Sequence, residues 1–291
     1  MSETAAPSPS ARLIAAAPAL AGCVRAFIER DTVGAALQPE DRFNHFPASP
    51  LCAISWFLQG SATLDGQPLP GPIVFRGPQS MPTITANPGP VRVFLLLLMP
   101  DALAALTGLD IADHADRFSD ARQVFTESDW AALLNGVMQA PDTAARVELL
   151  HAFLAPRWQE ARSGRHAGSG RDGRVIATWH YADWTRALAL QAALSAPGRS
   201  LRQAQRRIRG WAGLPLQRLE SLSRAERSFL DAMQQQARGR VDWADVAAGA
   251  GYADQSHLCR AARQASGESP AQLLERMRRE ECFWVYRLWA G

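Results

Sequence analysis

The chain has 291 residues, with 47% hydrophobic and 20% charged residues and a formal net charge of +3. Such a chain is long enough for two domains, each with its own core, and its composition describes a soluble globular protein. The longest apolar run, Val93–Met99, is far too short to span a bilayer, so no membrane partner is expected.

The first dozen residues are predicted to form a flexible tail. They show no basic region before an apolar core, so a signal peptide is not predicted. The four cysteines are scattered without a CxxC pair, which argues against a zinc site or a disulfide framework. These features fit a reducing compartment, and we expect the protein in the cytoplasm.

Residues 1–160 are predicted to form a β-rich domain followed by helices. Short strands separated by Pro and Gly turns suggest a small barrel or sandwich, and Asp65-Gly66 marks a hairpin. The strands are predicted at residues 51–58, 73–75, 81–85 and 91–99. Three helices are predicted at residues 101–109, 127–139 and 142–160. The last helix carries an apolar side formed by Val147, Leu150, Leu154 and Trp158.

The interior of this β-rich domain is a candidate site for a small apolar or aromatic ligand. The candidate wall residues are Trp56, Phe57, Phe75 and Phe94. Side chains alternate along a strand, so about half of them face the other side, and plain core residues are the alternative interpretation.

No catalytic residue, cofactor or metal site is predicted. A metal site of this kind of barrel needs a cluster of His and carboxylate ligands on neighbouring strands. The predicted strands carry no His, and His45, His114 and His151 lie apart in the sequence. No paired nucleophile and base is visible either, so an enzyme is not expected.

Residues 161–174 are rich in Gly, Ser and Arg and contain no aliphatic side chain larger than Ala. This composition is typical of a flexible linker and places the domain boundary there, with a second domain at residues 175–291. Residues 161–291 hold 21 Arg against 12 acidic residues, a net charge of +9. Residues 1–160 hold 10 Arg against 16 acidic residues, a net charge of −6. A basic half indicates a phosphate-binding surface.

The most informative stretch of the chain is Asp242–Pro270. Its spacing predicts one helix, a turn at Gly251, a second helix capped by Asp254, and a third that starts at Ser269-Pro270. The second helix is predicted to bury Leu258, Ala262 and Ala265. Its other side and flanks carry side chains suited to base edges and phosphates, namely Gln255, Ser256, Cys259, Arg260 and Arg263.

This stretch resembles the AraC family of bacterial transcription regulators. The matching residues are Ala247, Gly251-Tyr252, Asp254–Leu258, Arg260, Gly267 and Ser269-Pro270. The resemblance implies a domain of two helix-turn-helix units, of which this is the second. The chain departs from the family pattern at Ala262, where the family usually carries Phe. Trp243 or the aromatic C-terminal residues would have to fill that space.

The resemblance implies another unit upstream, in Ser200–Pro215. The helix there has an apolar stripe of Leu201, Ala204, Ile208 and Trp211. The opposite side and its edges carry Arg202, Gln203, Gln205, Arg206 and Arg209. A solvated basic helix is the alternative interpretation. A preceding helix is predicted from Asp183 to about Ala196, and Leu216–Arg238 fits the helix that connects the two units.

Together these features and the resemblance imply an α+β fold. An N-terminal cupin-like β-barrel with trailing helices would precede an all-α DNA-binding domain of two helix-turn-helix units. The function expected is a sequence-specific transcription regulator that responds to a small-molecule effector through its N-terminal domain. In one major groove we expect Arg202, Gln203, Gln205 and Arg206, and in the next, about 34 Å along the duplex, Gln255, Ser256, Cys259 and Arg260. Arg209 and Arg263 would hold phosphates, with Arg207 as a further candidate.

The expected partners are double-stranded DNA and the effector, with RNA polymerase and a second copy of the chain, through helix 142–160, as further candidates. An alternative is a ligand-binding or protein-interaction module whose helical half does not bind DNA. The two differ in whether the Arg faces of both helices are solvent-exposed and collinear or are buried against the first domain. The aromatic segment Cys282–Trp289 is predicted to pack on the DNA-binding half, with the sensor domain or a second subunit as alternatives.

Overall fold

The computed structural model describes residues 8–166, 180–194 and 200–289. Within these ranges the chain forms antiparallel strands first and helices afterwards, which confirms the α+β class. The strands form two sheets rather than one closed barrel in the part of the chain that is described. They are β1 Ser10–Ile14, β2 Val24–Asp31, β3 Phe43–Phe46, β4 Cys52–Gln59, β5 Thr63–Leu64, β6 Gln67–Pro68, β7 Ile73–Arg76, β8 Thr83–Ala86, β9 Arg92–Leu98 and β10 Phe118–Asp120.

The larger sheet has the strand order β1-β2-β9-β4-β7-β10, and the smaller one has the order β3-β8-β5-β6. In the larger sheet Trp56 is paired with Phe94, and both are fully buried. Alternation along the strands sends these two side chains to the helical side and their neighbours, such as Phe57, to the side of the smaller sheet. The predicted hairpin is confirmed, because Asp65 and Gly66 both have positive φ, at 49° and 77°.

The beginning of the chain differs from the prediction. The expected flexible tail is wrong from Ser10 onwards, because β1 pairs with β2 along its whole length, with Ser10 opposite Asp31 and Ile14 opposite Phe27. The prediction missed β1, β2, β3 and β10. Strand β2 contains charged residues, so the sequence pattern does not indicate that the strand is buried. Two of these residues, Arg25 and Arg30, are nevertheless buried themselves.

The predicted helices are present with shifted ends, and two short helices, Ala121–Val124 and Trp284–Arg287, were not predicted. They are α1 Pro100–Thr107, α2 Ala121–Val124, α3 Ser128–Gln139, α4 Thr143–His166, α5 Tyr181–Leu194, α6 Leu201–Ala212, α7 Leu216–Ala237, α8 Trp243–Gly249, α9 Gln255–Ser266, α10 Pro270–Arg279 and α11 Trp284–Arg287. Helix α4 runs six residues into the predicted linker. The rest of that linker, residues 167–174, lies outside the described residues.

The apolar side of α4 is buried within this one chain. Leu150, Leu154 and Trp158 pack towards α3 and the 3₁₀ turn at Pro18–Leu20, and the Trp158 indole donates to the Ala21 carbonyl at 3.0 Å. A second copy would therefore have to use the opposite side of α4, where Leu149 is exposed. No helix among the described residues has the length and apolar character needed to cross a bilayer.

Two apolar cores hold the helices. The main core joins the larger sheet, α1, α3 and α4 to α5, α6 and the first half of α7. A smaller core is formed by α8, α9, α10, the second half of α7 and part of the C-terminal tail, which we define as Glu281–Trp289. Below, the N-terminal half is residues 8–166, the first unit is α5–α6, and the second unit is α8–α9.

Candidate nucleic-acid interface

The second unit is a helix, a tight turn and a second helix, as predicted. Gly251 in the turn has a φ of 79°, in the left-handed region that favours glycine. The Asp254 carboxylate accepts the backbone N–H of His257 at 2.7 Å and so caps the start of α9. Gly267 ends α9 with a φ of 83°. The caps and the turn fix where α9 starts and which of its faces is free.

The two sides of α9 differ sharply in exposure. Leu258 and Ala261 are buried, while Ala262 and Ala265 are half-buried. The predicted DNA-contacting side chains are exposed except for Cys259, which is half-buried; the exposed ones are Gln255, Ser256, Arg260 and Arg263. The helix therefore presents its polar, basic side to solvent.

The first unit is anchored on the N-terminal half. The Ser200 hydroxyl accepts the Gln203 backbone N–H at 3.3 Å and caps α6, and Gly213 ends it with a φ of 73°. Helix α6 packs on α1 and on the 3₁₀ turn at Ile111–His114. Leu201, a member of the predicted apolar stripe, is 75% exposed. The reason is that the buried contacts of α6 begin later along the helix, where Ile208 is fully packed.

The predicted contact residues of α6 all lie on its exposed side, namely Arg202, Gln203, Gln205, Arg206 and Arg209. Arg207 lies towards α5 instead, and its guanidinium donates to the Ala192 carbonyl at 3.1 Å. Arg207 thus links the two helices of the first unit and is less exposed than the arginines of the outer side of α6.

The arginines of the two exposed faces differ from those of α10 and the tail in their partners. Within the described residues, no carboxylate lies within ion-pair distance of the five arginines of these faces, namely Arg202, Arg206, Arg209, Arg260 and Arg263. On α10 and the tail, in contrast, Arg276, Arg278, Arg279 and Arg287 all pair with glutamates. A guanidinium without an internal carboxylate is available to an external anion, and its forked donors suit phosphate and guanine.

The candidate ligand wall of the N-terminal half is divided between two faces of the sheet. A cavity of about 60 Å³ lies between the two sheets, and Phe57 lines it. Trp56 faces the helices instead and donates from its indole to the Leu134 carbonyl at 3.0 Å. Phe94 stacks with Phe27, and Phe75 contacts Phe125 edge-on. Of the four aromatic candidates, Phe57 is therefore the one that borders the cavity.

The histidines are placed among structural contacts. His45 stacks on Phe283 with ring centroids 4.3 Å apart, and His114 meets Phe75 edge-on at 5.3 Å. Burial lowers the pKa of both imidazoles, so both favour the neutral form. The described residues contain no group of three His, Cys, Asp or Glu side chains placed to hold a metal ion.

The tail contacts both halves of the molecule. Trp284 is 3% exposed, donates from its indole to Asn44 Oδ1 at 2.8 Å and lies edge-on to Phe46. Glu281 pairs with Arg30 at 2.7 Å, while Phe283 is buried in the smaller core. The predicted packing on the DNA-binding half and the alternative contact with the N-terminal domain are therefore both present. The sequence gives no sign of the Arg30–Glu281 pair, because its members are far apart in the chain.

The space beside Ala262 is not completely filled. Trp243 and Tyr286 approach it, as the sequence suggested for neighbouring aromatic residues, yet a cavity of about 130 Å³ remains with Ala262 in its wall. Leu258 and Ala265 of the same helix also border this cavity.

No protein-family model matches the chain, and no curated protein does. Among solved structures the chain is similar to ToxT from Vibrio cholerae. A 1.65 Å structure of ToxT is 11% identical, covers 92% of this chain and 98% of that chain, and has a TM-score of 0.37. A structure of ToxT bound to (E)-4-(8-methylnaphthalen-1-yl)but-3-enoic acid is 11% identical, covers 92% and 99%, and has a TM-score of 0.36. At TM-scores this low, the likeness is too weak to bear on what this chain does.

Proposed function

We propose that the protein is a sequence-specific DNA-binding transcription regulator of the AraC type, which contacts DNA with both α6 and α9. Base contacts come from the N-terminal parts of the two helices. In α6 they are Arg202, Gln203, Gln205 and Arg206, and in α9 they are Gln255, Ser256, Cys259 and Arg260. Arg209 and Arg263 hold phosphates. Such a division is general in DNA recognition, where phosphate contacts position the protein and base contacts select the sequence.

The observation that carries this proposal is the exposure of two basic, cap-defined helix faces whose arginines lack internal carboxylate partners in the described part of the chain. A face that served only to contact the N-terminal half would be covered by it. Here the N-terminal half contacts α6 through α1 and Ile111–His114, while the predicted contact residues of α6 remain exposed. This arrangement favours DNA binding over the alternative of a protein-interaction module.

We also infer that the N-terminal half responds to a small-molecule effector and passes the response to the first unit. The main core is continuous from the larger sheet to α5 and α6. The Trp184 indole of α5 donates to Asp101 Oδ1 of α1 at 2.9 Å, which adds a polar link across the same boundary. A change in the N-terminal half therefore has a packed route to α6.

The test is selection of bound sequences from a random DNA pool by the purified full chain, followed by titration of a selected site at several salt concentrations. The proposal expects enrichment of a site whose two parts lie about one helical turn apart. It also expects affinity to fall steeply between about 50 and 200 mM salt, because phosphate contacts release counterions. No enrichment, together with no salt-dependent binding, would overturn it.

A further inference from the structure

The cavity between the two sheets, of about 60 Å³, has a wall that is largely apolar but contains a few polar side chains. Strands β4 and β7 of the larger sheet contribute Ser55 and Arg76, and the rings of Phe46 and Phe57 cover much of the rest. Trp284 of the tail also borders this space. A ligand held here would therefore touch the larger sheet and the tail at once.

Arg76 is a charged group of this wall without a counter-charge. Its guanidinium carbon lies 5.3 Å from the centre of the Phe46 ring. No carboxylate among the described residues lies within ion-pair distance of Arg76, and its guanidinium forms no hydrogen bond to them. Its nitrogens nevertheless keep accessible surface. Because a guanidinium stays protonated in proteins, an unpaired positive charge borders the cavity.

The groups nearest to Arg76 do not neutralise it. Burial lowers the pKa of Arg76, and the titratable groups that act on its charge are Tyr181 and Cys52. Burial raises the pKa of Tyr181 to about 12 and also raises the pKa of the Cys52 thiol, so both are uncharged near neutral pH. An interior charge without a partner is unfavourable, and a bound anion would relieve this.

The second arginine of the wall shows which chemistry satisfies such a group. Arg30 also borders the cavity, and it pairs with the Glu281 carboxylate of the tail at 2.7 Å. The guanidinium plane matches the two oxygens of a carboxylate, which is why this pair is favoured in the interior. The protein thus neutralises one arginine of the cavity with its own carboxylate and leaves Arg76 for another.

Ser55 supplies a second donor beside Arg76. Ser55 pairs with Val74 and Ala53 pairs with Arg76, so Ser55 and Arg76 are diagonal neighbours on the same face of the sheet. The Ser55 hydroxyl forms no hydrogen bond within the described residues, and it too keeps accessible surface. A hydroxyl and a guanidinium can therefore both donate to one anion.

The size and charge of the site limit what it can hold. Its volume is less than half that of an apolar cavity of about 150 Å³ that binds benzene. The one unpaired guanidinium balances a single negative charge, whereas a dianion would leave excess charge against apolar side chains. Both limits favour a small monoanion with a short apolar part.

We propose that this cavity binds a short-chain monocarboxylate, such as acetate or propionate, whose carboxylate accepts from Arg76 and Ser55. The alkyl group packs on the apolar part of the wall. This assignment names a chemical class for the effector and rests, in that respect, on the proposed function.

Occupancy of the cavity acts on the tail. The Trp284 ring lies 5.0 Å from the guanidinium carbon of Arg30, and Phe283 beside it is buried in the smaller core of the second unit. A bound acid fills the space against Trp284 and so holds the tail and the second unit more firmly. We expect propionate to raise the affinity for the selected DNA site.

The direct test is calorimetric titration of the full chain, without DNA, with propionate and with propionamide at constant ionic strength. The two probes have the same shape and differ in charge. The proposal expects saturable binding of propionate, with propionamide at least about tenfold weaker, because hydrogen bonds to a charged group are lost. Absence of saturable propionate binding, or equal binding of the two probes, overturns it.

Two further probes test the limits of size and charge. Hexanoate should bind no tighter than propionate, whereas a longer apolar site would gain about fourfold for each added CH₂. Inorganic phosphate at the same concentration should not displace propionate. Displacement by phosphate contradicts the choice of a monocarboxylate, and a steady gain with chain length contradicts the short chain.

Variants locate the site. Arg76→Met keeps the reach of the side chain without its charge, and should weaken propionate by at least about tenfold while propionamide is unaffected. Ser55→Ala should weaken propionate to a smaller extent, and it carries the test if Arg76→Met does not fold. Arg92→Met, at an exposed position of β9 outside the cavity wall, is the control and should bind propionate like the unmodified chain.

Unchanged propionate binding in folded Arg76→Met, or in Ser55→Ala where that variant carries the test, contradicts the assignment of the site. Because these titrations contain no DNA, their failure is distinct from failure of DNA binding. If propionate binds but the affinity for selected DNA does not change, the site stands and its action through the tail is wrong.

Discussion

The first and second units present similar basic helix faces to solvent but are supported differently. The first unit shares the main core with the N-terminal half, through Trp184, Leu188 and Ile208. The second unit has a smaller core of its own, with a cavity beside Ala262. Its links to the N-terminal half include the tail, the hydrogen bond from Ala48 to α9, and Arg218 of α7, whose guanidinium donates to the carbonyls of Ser80 and Gln264. A similar exposed basic helix face can thus be held by two different kinds of packing within one chain.

The largest expected effect on stability is that of a substitution in the tail, which links the second unit to the N-terminal half. Trp284→Ala removes a buried indole that bonds to Asn44, and should lower the free energy of unfolding by about 3–5 kcal/mol. Urea unfolding gives the measurement. Trp284→Phe is the control: it keeps part of the ring packing and should cost less. An Ala variant as stable as the unmodified chain would show that the tail does not hold the second unit in place.

The ion pair between Arg25 of β2 and Glu226 of α7 should make the free energy of unfolding depend on pH. Desolvation outweighs the attraction of Arg25 and raises the pKa of Glu226 from 4.5 to about 7. The folded state then keeps a proton that the unfolded state has lost. The free energy of unfolding should therefore fall as pH rises from about 4.5 to about 7, by at most about 3 kcal/mol, and this contribution should be constant above pH 7.

Glu226→Gln should remove this part of the pH dependence. The measurement is urea unfolding of both proteins between about pH 4.5 and 8, and the difference between the two curves isolates the one carboxyl group. Glu226 joins Arg25 of β2 to Tyr181 of the first unit. Its pH dependence therefore reports on how the first unit is held to the N-terminal half. Parallel curves for the two proteins would show that Glu226 does not titrate in this range.

Loss of one recognition arginine from each unit compares the two faces directly. Arg206→Ala and Arg260→Ala should each weaken binding to a selected DNA site by about 1–3 kcal/mol and relax the choice of base at one position. Arg278→Ala, whose residue pairs with Glu275 on α10, is the control and should bind like the unmodified chain. Equal losses on selected and unrelated DNA would identify the two arginines as phosphate contacts instead.

The smallest expected change in stability is that caused by removing a helix cap from either unit. Asp254→Ala and Ser200→Ala should each destabilise the protein by about 0.5–2 kcal/mol. The Asp254 change should cost more, because its bond is 2.7 Å long against 3.3 Å for Ser200 and a carboxylate also favours a helix N-terminus. Hydrogen exchange in the first turns of α6 and α9 reports each cap separately. Faster exchange in the Ser200 variant than in the Asp254 variant would reverse this order.

The sequence predicts the second unit well because its signals are local. Asp254, Gly251 and Gly267 each act on residues within one helical turn, so their roles can be read without knowledge of the rest of the chain. Leu201 is different. Helical periodicity places it in an apolar stripe, but its exposure depends on where the N-terminal half touches α6, which is information from elsewhere in the chain.

The strands and the cavity also depend on contacts between distant parts of the chain, which the sequence pattern does not predict. Strand β2 was missed because its charged residues, Arg25 and Arg30, are buried by partners on α7 and in the tail. The absence of a Phe at Ala262 could be noticed from the sequence. The sequence could not show whether neighbouring side chains fill the space, because that depends on where the rings of Trp243 and Tyr286 lie in the cavity wall.

Simultaneous contact of both units with DNA is tested most directly by the salt dependence of binding. The full chain is titrated onto a selected site over a series of salt concentrations, alongside Arg209→Ala, Arg263→Ala and the double variant. Each single change should reduce the slope of log affinity against log salt by about one, and the double change by about two. An unchanged slope for either single variant would contradict the claim that both units contact phosphates at once.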